Sequence, residues 1–228
     1  MTRRALLALL PLALALAACG KHEVGTATSG IASMFSPQPT PVAAWSDTGD
    51  ALQGRRVSLD ALKSAKGFTA GNPEADRTVY VMFDPQCPHC GEVWQSTHRL
   101  WREAKFVWIP VGLINADSAL QGAAILASPT PIGAMESQEQ LLASGAGGLE
   151  VKNQILPADI KAAVQANSIL LASFGAVQVP FIGGTDESTG KPEVVEGPVE
   201  PDALVARLHW KHAALGSAQK ISNTGNQK

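Results

Sequence analysis

TVYVMFDPQCPHCGEVW, residues 78–94, decides the fold. Its first six residues are β-branched, aromatic or large and apolar, the pattern of a buried strand. Asp84-Pro85 ends that run. Trp94, His98 and Trp101 then recur at helical spacing, so a helix is expected from near the cysteines to about residue 104. Cys87 and Cys90 fall where strand hands over to helix. A pair at this spacing can be half of a zinc site, an inert disulfide or a redox catalyst. A structural zinc usually needs four ligands, and His98, His209 and His212 carry no ligand spacing relative to the pair. A bridge across two residues closes almost no loop and adds little stability by chain entropy. Redox chemistry is the reading the residues favour, with no metal and no bound cofactor, because the dithiol itself carries two electrons.

The position favours it further. Unsatisfied N–H groups and the positive end of the helix dipole stabilise a thiolate at a helix start. Cys87 is therefore the expected nucleophile with a depressed pKa. Cys90, one turn in, is the expected buried resolving thiol, which attacks the mixed disulfide and releases the substrate. His89 is expected to add positive charge beside the Cys87 sulfur. Asp84 reads as a turn former or cap, with proton transfer from Cys90 as its alternative role. Trp94, Trp101 and Trp108 read as core or groove wall.

Outward from this stretch, Ser58 can cap a short helix over 59–66. Residues 106–114 form a second apolar strand, completing a strand–helix–strand unit that builds a parallel sheet. Helices are expected over 118–127, 135–144 and 157–174, with Pro157 suited to a first helical position. Residues 177–182 read as a strand interrupted by Pro180, 183–190 as a turn, and 192–196 as a short returning strand. An amphipathic helix over 200–215 closes the domain, with Leu204, Val205, Leu208 and Ala213 near one face. The order is βαβ, a helical insertion, ββ and α. That is an α/β, thioredoxin-like fold with a helical insertion between its βαβ and ββα halves.

The chain has 228 residues, is 45% hydrophobic and carries a formal net charge of −2, so a packed core is expected and no electrostatic case exists for a nucleic-acid partner. Its start, MTRRALLALLPLALALAACG, has a positive n-region and an apolar run shorter than the ~20 residues that span a bilayer. Residues 1–18 read as a signal peptide. Leu16-Ala17-Ala18-Cys19 resembles the bacterial lipobox, which makes Cys19 the lipidated residue and leaves Cys87 and Cys90 as a pair in an oxidising space. Gly20 after that cysteine favours the outer membrane by the same resemblance. The expected layout is a lipidated N-terminus and tether over 19–56, a catalytic domain over 57–215 and a loose tail over 216–228. The membrane is reached through the lipid anchor only.

FDPQCPHC after TVYVM, VWIPVGLI followed by SALQGAAILAS, and GAVQVPFI together resemble the DsbC/DsbG family of periplasmic thiol:disulfide interchange proteins, closest to DsbG. The resemblance covers about residues 57–215. It implies that Pro180 is the cis-proline set against the CxxC, and that Pro88 and Val179 border the substrate groove. It implies exported cysteine-containing proteins as substrates and a membrane reductant resembling DsbD as partner. Two departures stand out. Only a tether and a short helix precede the catalytic strand, where the family carries a dimerisation domain, so a monomer is expected. CPHC, and valine in place of threonine at position 179, resemble the oxidase DsbA, whose partner would resemble DsbB. A reductase or isomerase is the leading expectation. A DsbA-like oxidase and a non-catalytic thioredoxin-fold binding lipoprotein remain the alternatives.

Overall fold

The computed structural model describes residues 57–211. The leader, Cys19, the tether, the tail and residues 212–215 of the expected domain lie outside them. A five-stranded sheet runs in the order β1 (Phe68–Gly71), β3 (Lys105–Pro110), β2 (Thr78–Phe83), β4 (Phe181–Thr185), β5 (Pro192–Glu196). The β2–β3 pair is parallel, with Val81 opposite Trp108, and every other pair is antiparallel.

Alternate residues of the two central strands feed two cores, because successive side chains point to opposite faces. Val79, Val81, Phe83, Phe106 and Trp108 join Trp94 and Leu204 on one side. Met82 and Ile109 join Leu62, Leu171 and Phe181 on the other. Trp94 packs edge-on against Trp108 with ring centroids 5.0 Å apart, and Trp101 is half-buried at the margin of the same cluster.

Several elements differ from the sequence-based expectation. β1 was not expected. Its four residues follow Gly67 and include Gly71, the first residue of a Gly-Asn-Pro breaker, and it exists by pairing with β3. The helix after the cysteines, α2 (Pro88–Thr97), ends well short of residue 104 and passes into a 3₁₀ turn over His98–Leu100. The buried Thr97 hydroxyl donates back to the Val93 carbonyl at 2.8 Å, a contact that competes with regular helix. β3 stops at Pro110 rather than reaching residue 114.

Gly183 and Gly184 are strand rather than turn. A Cβ at Gly183 would stand 2.7 Å from a Leu62 methyl of α1 (Leu59–Ser64), so this glycine lets a helix lie close on the sheet. Ser58 caps α1 as expected, accepting the Ala61 N–H at 3.3 Å.

The insertion comprises α3 (Ser118–Ala127), α4 (Pro131–Ala143) and α5 (Ala158–Ser173), with Pro157 as the N-cap of α5. α6 (Pro201–Arg207) buries Leu204 and Val205, and Ala213 lies outside the described residues. Among the described residues no helix is long and apolar enough to cross a membrane.

Candidate active site

β2 delivers its last residues to the start of α2, and Cys87 is the N-cap of that helix, with extended φ and ψ of −93° and 111°. Its carbonyl accepts the Cys90 N–H at 3.0 Å. Both thiols are free and buried, Cys90 completely. The Cys87 thiol is lowered to about 7. The hydrogen bond from the Cys90 thiol is the main cause, and the Cys90 and His89 backbone N–H groups and the His89 charge add to it against the effect of burial. Burial first, and the neighbouring Cys87 second, push the Cys90 thiol well above its ordinary value. The two sulfurs are thus divided into one that ionises readily and one that keeps its proton.

His89 contributes less than its place in the sequence implied. Its Nδ1 lies 2.9 Å from a Glu92 carboxylate oxygen, in a half-exposed pair, and its charge is the last of the causes acting on Cys87. The Val179–Pro180 peptide bond is cis, and the Val179 carbonyl accepts a weak contact from the Cys87 thiol at 3.6 Å. Pro180 is buried and Pro88 exposed.

Two clefts flank α2. One, of about 350 Å³, lies between His89, Glu92 and Val93 on one side and Pro198 and Val199 on the other. The other, of about 600 Å³, runs between Pro88, Gly91 and Gln95 of α2 and Glu139, Gln140 and Leu142 of α4. Pro88 borders this second cleft, whereas Val179 lines neither.

Asp84 is fully buried and acts as a tie. Its carboxylate accepts the N–H groups of Gln86 at 2.8 Å, Leu113 at 2.6 Å and Ile114 at 3.0 Å. This holds the loop after β3 against the cysteine loop and leaves Leu113 and Ile114 exposed beside it. Asp84 therefore forms the turn and does not cap α2, whose N-cap has no side-chain partner.

The sequence reading missed a set of amides and one acid. Gln138 of α4 donates to the Pro85 carbonyl at 2.8 Å and to the Gln121 side chain at 3.0 Å, and accepts the Leu149 N–H at 2.8 Å. Gln86, just before Cys87, donates to Gln121 and to the Gly147 carbonyl at 2.7 Å. The next residue on α4, Glu139, is buried against Gly91, where a Cβ would overlap its carboxylate. The glycine was the available signal: inside a helix it marks close approach of another group. Among the described residues no cluster of three or more His, Cys, Asp or Glu side chains could hold a metal.

No family model matches the chain. The thiol:disulfide interchange protein DsbG of Pseudomonas aeruginosa is 35% identical over 141 residues, which cover 60% of this chain and 53% of the relative. DsbG of Escherichia coli K12 is 34% identical over 119 residues, 49% of this chain and 45% of the relative. Over the matched residues the chain is similar to DsbG proteins, and its fold is thioredoxin-like. The match spans about half the length of these DsbG relatives. A thioredoxin-like oxidoreductase from Silicibacter pomeroyi DSS-3 superposes with a TM-score of 0.52 at 20% identity, over 67% of this chain and 96% of the other, and carries the same fold.

Proposed function

We propose that this DsbG-like chain is a thiol:disulfide oxidoreductase of the periplasm that works in the direction of reduction or isomerisation on cysteines of exported proteins. The observation that carries the reading is the division of the CxxC pair into a Cys87 thiol at about 7 and a buried Cys90 thiol held protonated. The Cys87 thiolate attacks a substrate sulfur. One substrate sulfur leaves as thiolate and takes a proton. Cys90 then loses its proton, attacks Cys87 in the mixed disulfide and expels the second substrate thiolate, leaving Cys87–Cys90 oxidised and the substrate reduced. If the first substrate thiolate instead attacks another substrate disulfide, the thiolate so freed attacks the substrate sulfur of the mixed disulfide and expels Cys87 as thiolate, and the net result is isomerisation.

Reduction is favoured over DsbA-like oxidation on one ground. Stabilising the thiolate stabilises the reduced form and makes the disulfide more oxidising. A nucleophile at about 7 sits with thioredoxin, ~7, rather than with DsbA, ~3.5. His89, turned toward Glu92, supplies little of the cation that would drive the value lower. Pro180 and Val179 shape the peptide groove in this reading, with Pro88 on its rim. Cys19 carries lipid at the outer membrane, the chain is a monomer, and a membrane reductant resembling DsbD recharges it. A non-catalytic binding role is the rival that turnover excludes.

The test is reduction of a disulfide-bearing protein by glutathione in the presence of the chain. Cys87→Ser is expected to lower the rate at least ~100-fold. An unchanged rate would sink the catalytic assignment. Cys90→Ser is expected to accumulate a mixed disulfide, visible by mass. The in-cell state of the pair, read by acid quench and maleimide gel shift, is expected to be mostly reduced. A mostly oxidised pair would point to a disulfide donor.

A further inference from the structure

Glu139 has no part in the chemistry above, yet it stands directly over the motif. It is 8% exposed, and its Oε1 is buried with no hydrogen-bond partner. Its other oxygen rests on Gly91, the residue after Cys90. None of the residues lining the cleft beside it is basic. On α2 the ionisable neighbours are the two cysteines, His89 and Glu92, the last two paired with each other. On its own helix the neighbour is Glu136, which is exposed. α3 and β1, which also pack on α4, carry no ionisable side chain. A carboxylate here has no counter-charge, so burial favours its neutral acid.

We propose that Glu139 is a positioning residue for the cysteine pair: its carboxyl acts across Gly91 on Cys87, neutral while it keeps its proton and an opposing charge once it loses it. The inference rests on Cys87 being the reactive thiol. In support, burial first and the Cys87 charge second raise Glu139 to about 8, so thiolate and carboxylate titrate as a coupled pair. The coupling is mutual. When the disulfide is reduced and Cys87 ionises, Glu139 takes up a proton it would otherwise have lost. Reduction near pH 8 therefore consumes more protons than the two thiols alone require.

The experiment has two readouts, neither of which depends on turnover. The first is the side-chain ¹³C titration of Glu139 in the full chain. It is expected to titrate higher in the reduced wild type than in either the oxidised protein or reduced Cys87→Ser. The second is the thiolate absorbance near 240 nm, with Cys87→Ser as blank. Glu139→Gln is expected to shift the Cys87 transition to lower pH and narrow it, while Glu136→Gln, one turn away, leaves it in place. Gly91→Ala, which displaces the carboxylate toward solvent, is expected to act in the same direction as Glu139→Gln. A Glu139 that titrates identically in both redox states, or superimposable thiolate curves for wild type and Glu139→Gln, would overturn the proposal. Loss of turnover in Cys87→Ser stands or falls separately, so failure of the enzymatic reading is distinguishable from failure of this one.

Discussion

The two walls of the CxxC site are built from different material. On the sheet side Cys87 meets main chain, the Val179 carbonyl ahead of cis Pro180. On the insertion side the cysteine loop meets side chains: Gln121 and Gln138 grip residues 85 and 86, and Glu139 lies over Gly91. A main-chain contact is fixed by the backbone that carries it and survives most substitutions. A side-chain contact changes with a single replacement. The sheet wall sets where the sulfurs stand, and the insertion wall is where their ionisation can be adjusted.

The largest effect expected from breaking this contrast is on the pH dependence of stability. Glu139 is raised in the folded protein, so its contribution is fully present below the unfolded carboxyl value and is lost as pH rises through about 8. Glu139→Gln cannot ionise. Denaturant unfolding of the reduced protein at pH 6 and pH 9 is expected to show the wild type losing about 3 kcal/mol relative to the variant. Parallel stability curves would mean that the insertion wall is electrostatically inert. Next, Gln138→Leu strands the Pro85 carbonyl and the Leu149 N–H, at a cost of about 2 kcal/mol. Faster amide exchange in residues 84–87 should accompany it, and unchanged exchange would show that the loop is held by the sheet alone.

On the sheet side, Gly183→Ala drives a methyl group toward Leu62 and is expected to cost about 1 kcal/mol while leaving the Cys87 titration untouched. A shifted titration there would blur the division between the walls. The smallest effect is assigned to His89→Ala. It should raise the Cys87 pKa by less than Cys90→Ala does, because the hydrogen bond from the Cys90 thiol is the first cause of the low value and the His89 charge the last. The reverse order would restore His89 as the main tuning group.

The sheet wall was largely legible in the sequence. The runs at 78–83 and 106–110 are apolar on both faces, and the breaker Asp84-Pro85 places the cysteines at a helix start. The expectation for Pro180 came from the resemblance of GAVQVPFI to a cis-proline loop, with a strand and a closing helix after it in support. What failed depends on partners distant in sequence. β1 has too few residues to show a period and takes its identity from β3, more than thirty positions away. Gly183-Gly184 carries the composition of a turn, and only the approach of α1 explains it as strand. Gln121, Gln138 and Glu139 sit on helices where polar residues ordinarily face water. Nothing local says that α4 turns that face onto residues 85–91.

The amide lattice around Gln86 has a consequence for how the protein meets changing surroundings. Its members, Gln86, Gln121, Gln138 and the carbonyls of Pro85 and Gly147, are all neutral. Dissolved ions screen charges but have little to act on in bonds between uncharged groups. This amide lattice is therefore indifferent to brine and to acid over the range in which Cys87 and Glu139 change state, and chemistry can be retuned beside it without the lattice shifting.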